Sequence, residues 1–176
     1  MSVVINGSAG VTTNSGAVYN GIQAGTAVAS TSGTSIDFTS IPSWVKRITV
    51  VFSGVSSNGS SNFLVQSGAG SVQTTGYASA STLAATGAAT GAVTTNGFLL
   101  YQVAVGAGFT FSGSFTMTNV GSNIWVGSGI VARTDGSGNI MMGGTVTLSG
   151  TLDRVRITTV NGTDTFDAGS INILYE

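Results

Sequence analysis

Cysteine and histidine are absent from this 176-residue chain, and Pro42 is its single proline. Without cysteine there is neither a disulfide framework nor a thiolate zinc site. Without histidine the usual general base near neutral pH is missing, which excludes Ser-His-Asp and Cys-His catalytic arrangements. Charge is scarce as well. Five basic and six acidic side chains make 6% of the residues, against about 25% in ordinary soluble domains, and leave a formal charge of −1. So weak and balanced a field does not steer nucleic acid or an anionic membrane, which reward clustered Lys and Arg, so neither is expected as a partner. No window approaches the roughly 18 apolar residues of a membrane-spanning helix, and the opening MSVVINGSAG lacks a basic segment followed by an apolar core. The chain therefore reads as soluble, with no signal for classical secretion. Walker loops, dinucleotide fingerprints and zinc spacings are missing too, and no cofactor or metal is expected.

What is present is glycine, 27 residues of it, with Ser, Thr and Asn supplying most of the polarity. A surface built this way is hydroxyl-rich and nearly neutral, and it repels copies of itself weakly, which favours oligomers or built assemblies. The length suits one domain that buries roughly 70% of the unfolded chain's surface. Helix formers are rare and alternation dominates. Strands are expected at about 34–39, 44–53, 61–67, 71–79, 97–105, 109–119, 123–133, 139–148, 152–160 and 169–175. SSNGSS, DGSGN and NGTD lie between them as turns suited to positive φ. Many short strands at this spacing indicate an all-β fold, an antiparallel β-sandwich or jelly roll.

Residues 1–30 have a strand-like VVI and then mostly small polar residues, too thin for a core of their own; they are expected to be an extended arm for assembly, with residues 31–176 forming the sandwich. The low-complexity stretch Ala78 to Gly97 is expected to be a long loop, although an extended segment packed on another subunit would use the same residues. In DFTSIPSWVKRITVVF, Pro42 fits a corner where the chain crosses between sheets. Beyond it Trp44, Lys46, Ile48, Val50 and Phe52 share one strand face. WVKRITVVFSG is echoed by LDRVRITTVNG, as though two facing sheets carried equivalent strands.

Candidate chemistry is sparse. A glycosidase needs only two carboxylates, and Asp164 and Asp167 are near neighbours, yet the acids mostly sit at strand ends or turns where capping and ion pairing explain them. DGSGN resembles half of a calcium loop without its downstream acid, and a hairpin turn explains it equally well. NGS at Asn6, NGS at Asn58 and NGT at Asn161 match the glycosylation pattern but read as turns. Aromatic rings stack on sugar faces. Tyr77, beside the small-residue stretch, and Trp125, between Asn123 and a Gly-rich run, are the rings best placed as surface platforms, with Asn123 reading hydroxyls. The alternative, that these rings lie in the core or a subunit interface, stays open.

The stretch DFTSIPSWVKRITVVFSGVSSNGSSNFLVQSG together with the ending DRVRITTVNGTDTFDAGSINILYE resembles the C-terminal domain of bacteriophage tail fibre proteins, over about Thr26 to Glu176. VVINGSAGVTT is similar to short Asn-Gly segments that precede such domains. The resemblance implies a non-enzymatic, homotrimeric, β-rich module of the virion, made in the host cytoplasm. It would touch glycan or protein of the host surface and dock on other tail or capsid proteins through residues 1–30. It carries over no catalytic residue. The chain departs from such fibres in having almost no shaft, which keeps open a purely structural role as a decoration or adaptor subunit.

Overall fold

In the computed structural model, residues 21–103 and 105–176 are described with their side chains, and residues 3–6, 10–13 and 18–19 by backbone alone. Among the described residues every regular element is a strand and every pairing is antiparallel, as expected from the sequence. In chain order the strands are β1 (Val3–Asn6), β2 (Gly10–Thr13), β3 (Val18–Tyr19), β4 (Gln23–Ala24), β5 (Val28–Ala29), β6 (Ser35–Thr39), β7 (Arg47–Ser57), β8 (Phe63–Ala69) and β9 (Ser71–Val72). They continue with β10 (Tyr77–Ala85), β11 (Ala88–Thr94), β12 (Phe98–Leu100), β13 (Phe111–Gly121), β14 (Ile124–Arg133), β15 (Asn139–Thr147), β16 (Arg154–Thr159) and β17 (Phe166–Tyr175). The first three form a small sheet of their own. A nine-stranded sheet runs β11-β10-β15-β14-β13-β7-β17-β4, with β5 also on β17, and a five-stranded sheet runs β12-β8-β16-β6, with β9 on β8.

The two larger sheets pack as a sandwich because their strands alternate apolar and polar residues. On β7, Ile48, Val50 and Phe52 are buried while Arg47, Thr49 and Val51 face outward. At Gly54, which has a φ of 62°, the strand bulges opposite Gly169 at 88°; a Cβ on Gly169 would overlap the Gly54 carbonyl. The bulge lets Val55 re-enter the core. Aromatic contacts join the sheets: Phe63 on β8 meets Phe111 edge-on and Phe166 face-on, both at 5.6 Å. Phe98 on β12 lies 5.2 Å from Tyr77 and 4.8 Å from Phe115. Each such pair contributes about 0.5–1.5 kcal/mol beyond area burial. The buried serines of β10 also tie the layers together. Ser79 and Ser81 hydroxyls accept the N–H groups of Leu99 and Tyr101 at 3.0 and 3.2 Å, fastening β12 to the opposite sheet.

Pro42 lies on the connection from β6 in the five-stranded sheet to β7 in the nine-stranded one, the crossover expected of it. The two echoed segments, β7 and β16, also fall in different sheets. Two expectations are corrected. Ala78 to Gly97 is a β-hairpin rather than a long loop: β10 and β11 pair from Ser79↔Thr94 to Ala85↔Ala88. Small Ala, Ser and Thr side chains give weak β propensity, so a regular ladder there carries little sequence signal. The arm also ends earlier than residue 30, since β4 and β5 pair with β17 at the edge of the sandwich.

Candidate functional site

The rings expected as surface platforms are in the core. Tyr77 and Trp125 are each only 2% exposed, so neither offers a face for a sugar to stack on. Alternation decides both: Tyr77 shares its side of β10 with Leu83, and Trp125 its side of β14 with Val131. The Tyr77 hydroxyl accepts the Ser67 N–H at 2.7 Å and lies 3.1 Å from the Gln73 carbonyl, to which it donates. Burial pushes its pKa up to about 12, against the opposing effect of the Ser67 hydrogen bonds.

Trp125 differs, because its buried Nε1–H has no acceptor among the described residues. Trp125 is one of the residues lining a cleft of about 190 Å³ at one end of the sandwich, with Ser43, Lys46, Asn119, Ser122, Asn123 and Thr151 among the others. Three pieces of chain converge there. The corner after Pro42 supplies Ser43 and Lys46, with the Val45 N–H bonded back to the Pro42 carbonyl at 3.1 Å. The β13–β14 hairpin supplies Asn119, Ser122, Asn123 and Trp125. The third wall is the connection before β16.

The hairpin is shaped by a bulge and a tight turn. Register shifts between Asn119 and Gly121, which pushes Val120 out into solvent, and the Asn119 Oδ1 caps the bulge by accepting the Gly121 N–H at 2.9 Å. Ser122 and Asn123 then turn the chain with φ of 49° and 59°. Two successive positive φ values are the signature of a type I′ turn, a conformation Asn tolerates and Ser enters at a cost of about 1–2 kcal/mol. The Asn123 carbonyl is tied to the Leu148 N–H at 3.0 Å.

So the structure brings Asn123 and Trp125 together at one cleft and leaves Tyr77 elsewhere. Sequence reasoning missed Lys46, Ser43 and Asn119, which reach the site only through the corner and the bulge. The corner itself breaks the expected face sharing: Val45 turns inward at 4% exposure, whereas Trp44 is 45% exposed and leans on Tyr175 at 5.9 Å.

Other polar residues are committed to holding loops. A second cleft, about 330 Å³ on the outer face of the five-stranded sheet, is lined by Gln66, Asn96, Arg156 and Thr158. Its groups already have partners: Arg156 pairs with Asp37 at 2.7 Å, the Gln66 amide donates to the Asn96 carbonyl at 2.7 Å, and Thr158 donates to the Thr34 carbonyl at 2.8 Å. Asp164 accepts the Ser61 N–H at 2.9 Å and the Asn161 amide at 2.6 Å, and it packs where a Cβ on Gly59 would sit. Asp167 accepts from the Ser56 hydroxyl. In the DGSGN turn between β14 and β15, Asp135 faces Arg133, whose guanidinium lowers the Asp135 pKa and also caps the Phe109 ring at 3.3 Å. Asn58 and Asn161 lie in turns and accept backbone N–H groups, as expected of their NG sequences; the side chain of Asn6 is outside the described residues.

Compared with family models, curated proteins and solved structures, the chain matches none.

Proposed function

We propose that this chain is a non-enzymatic attachment module of a bacteriophage particle, binding the host bacterial surface through its glycans in several copies at once. The observation that carries this reading is the end cleft. It gathers Lys46, Asn119, Asn123 and Trp125, whose buried indole N–H has no acceptor among the described residues, but no carboxylate that could act as acid, base or nucleophile. Such a site recognises without transforming. Single weak contacts of this kind need multivalency, which linked copies supply.

A route to several copies lies on the outer face of the nine-stranded sheet. Val93, Val126, Ile130 and Met141 are exposed there, with Ile130 directly opposite Met141 in register. Across β10, β11, β13, β14 and β15 the only charge is Arg133, at the end of β14. A hollow of about 850 Å³, floored by Ala78, Ala80 and Gly143, lies on the same face. Five strands about 4.8 Å apart and some 30 Å long cover roughly 700 Å². That approaches the roughly 800 Å² per partner of a stable interface. We assign this face to a second copy of the chain within a homotrimer.

The test is adsorption of the labelled chain to bacteria that the particle infects. Saturable binding is expected. Absence of cell binding, combined with tight docking to capsid or tail proteins, would instead support a purely structural virion subunit. That second reading is favoured by the separate sheet of β1, β2 and β3, a ready docking element.

A further inference from the structure

We infer that the end cleft is a subsite for the anionic group of an acidic saccharide, a carboxylate or phosphate carried on a sugar ring. The inference rests on the attachment reading and adds to it the chemical class of what is bound. Three observations converge.

Four of the five basic side chains spend their charge on acids: Arg47 on Glu176, Arg133 on Asp135, Arg154 on Asp153 and Arg156 on Asp37. Lys46 is the fifth. It has no ion-pair partner among the described residues, and it stands in the wall of the cleft. The second observation is Trp125, another residue of the lining, whose buried Nε1–H has no acceptor among the described residues. A buried donor left without a partner is costly, so an acceptor brought within its reach is favoured. The third is Asn119. Its oxygen is committed to Gly121, which leaves its amide NH₂ as the end with no protein partner among the described residues.

The one charged side chain in the lining is thus a cation, and the lining holds no carboxylate. A neutral sugar hydroxyl finds acceptors in the Asn123 amide and the Ser43, Ser122 and Thr151 hydroxyls, but only an anion meets the unpaired ammonium with opposite charge. An anionic oxygen only accepts, and its bonds to an ammonium and to N–H donors are about twice as strong as neutral ones. Size agrees: about 190 Å³ is below the roughly 300 Å³ of a small-molecule pocket, so one charged substituent and part of its ring enter while the rest of the saccharide lies outside.

The experiment uses the full chain carrying Trp44→Phe, so that Trp125 is the sole indole. Its Nε1–H NMR signal is followed during titration with trigalacturonate, with the fully methyl-esterified trisaccharide, and with glucose 6-phosphate. The signal is expected to move saturably with trigalacturonate or with glucose 6-phosphate, and the one that moves it more tightly identifies carboxylate or phosphate as the group bound. The ester should leave it still, and Lys46→Gln should weaken the response at least about tenfold. Equal response to the ester, an unchanged midpoint in Lys46→Gln, or silence towards all three at tens of millimolar would overturn the subsite. Silence in a chain that still adsorbs to cells defeats the subsite and leaves attachment standing. A responding indole in a chain that does not adsorb supports the subsite and defeats attachment.

Discussion

Asn119 donates its backbone N–H to the carbonyl of Lys46 at 2.8 Å, so the hairpin carrying Trp125 is bonded directly to the corner carrying the lysine. On the other side of that corner, the N–H groups of Lys46 and Arg47 both donate to the Glu176 carbonyl at 2.8 Å. Lys46 therefore stands on backbone held from two directions, and the cleft is built by main chain before any side chain contributes. Rigid placement of this kind lowers the ordering cost of binding.

Gly127 lies beneath the Phe115 ring, and a methyl group there would overlap the ring carbons. Phe115 is fully buried among the core aromatics and cannot step aside. Gly127→Ala should destabilise the fold by roughly 1–3 kcal/mol, the usual cost of overpacking, in a urea titration. Gly162→Ala offers a comparison, since it meets steric strain at a φ of 67° but no neighbouring atom. It should cost only about 1–2 kcal/mol.

Tyr77 should remain protonated to about pH 12, two units or so above an exposed tyrosine. Its pKa is raised by folding, so the stability it adds is complete below about pH 10 and is lost as pH climbs towards 12. Absorbance titration should show a late-ionising tyrosine that is missing in Tyr77→Phe. That variant strands the Ser67 N–H, bonded at 2.7 Å, and should lose about 1–3 kcal/mol.

With no histidine to titrate, melting temperature should stay flat from about pH 5 to 9. At the acid end Asp153, held below its ordinary pKa first by Arg154 and also by the Gly70 N–H, and Asp135, held down by Arg133, give stability that is present above about pH 4 and lost below it. Both pairs are partly exposed, so Asp153→Asn should cost at most about 1 kcal/mol at neutral pH and soften the acid limb. A cooperative transition near pH 6 would contradict this.

Ile130→Lys places a charge in the middle of the outer face without touching the core, since Ile130 is 59% exposed. Light scattering should give the unsubstituted chain three times its 17.5 kDa mass and the variant a lower one, with both melting alike at the monomer level. A monomer in both cases would remove the homotrimer.

Much of this architecture was legible in the residues. A proline between two alternating runs marked the crossover, and the NG and DG pairs marked turns. The burial of Tyr77 and Trp125 was also written in alternation, through their shared parity with Leu83 and Val131, although ring chemistry pointed to the surface. Two features were hidden for physical reasons. The β10–β11 ladder is made of small side chains whose pairing depends on a neighbouring sheet rather than on propensity. The cleft depends on a bulge at Asn119 and a break in strand parity at Val45, and neither has a period to detect.

The most direct test is competition on living cells. Bacteria are incubated with excess purified chain, wild type or Lys46→Gln, and adsorption of intact particles is then counted. Wild-type chain should block adsorption in a dose-dependent way, and Lys46→Gln should block it much less. Undiminished adsorption in the presence of saturating wild-type chain would contradict attachment through this module.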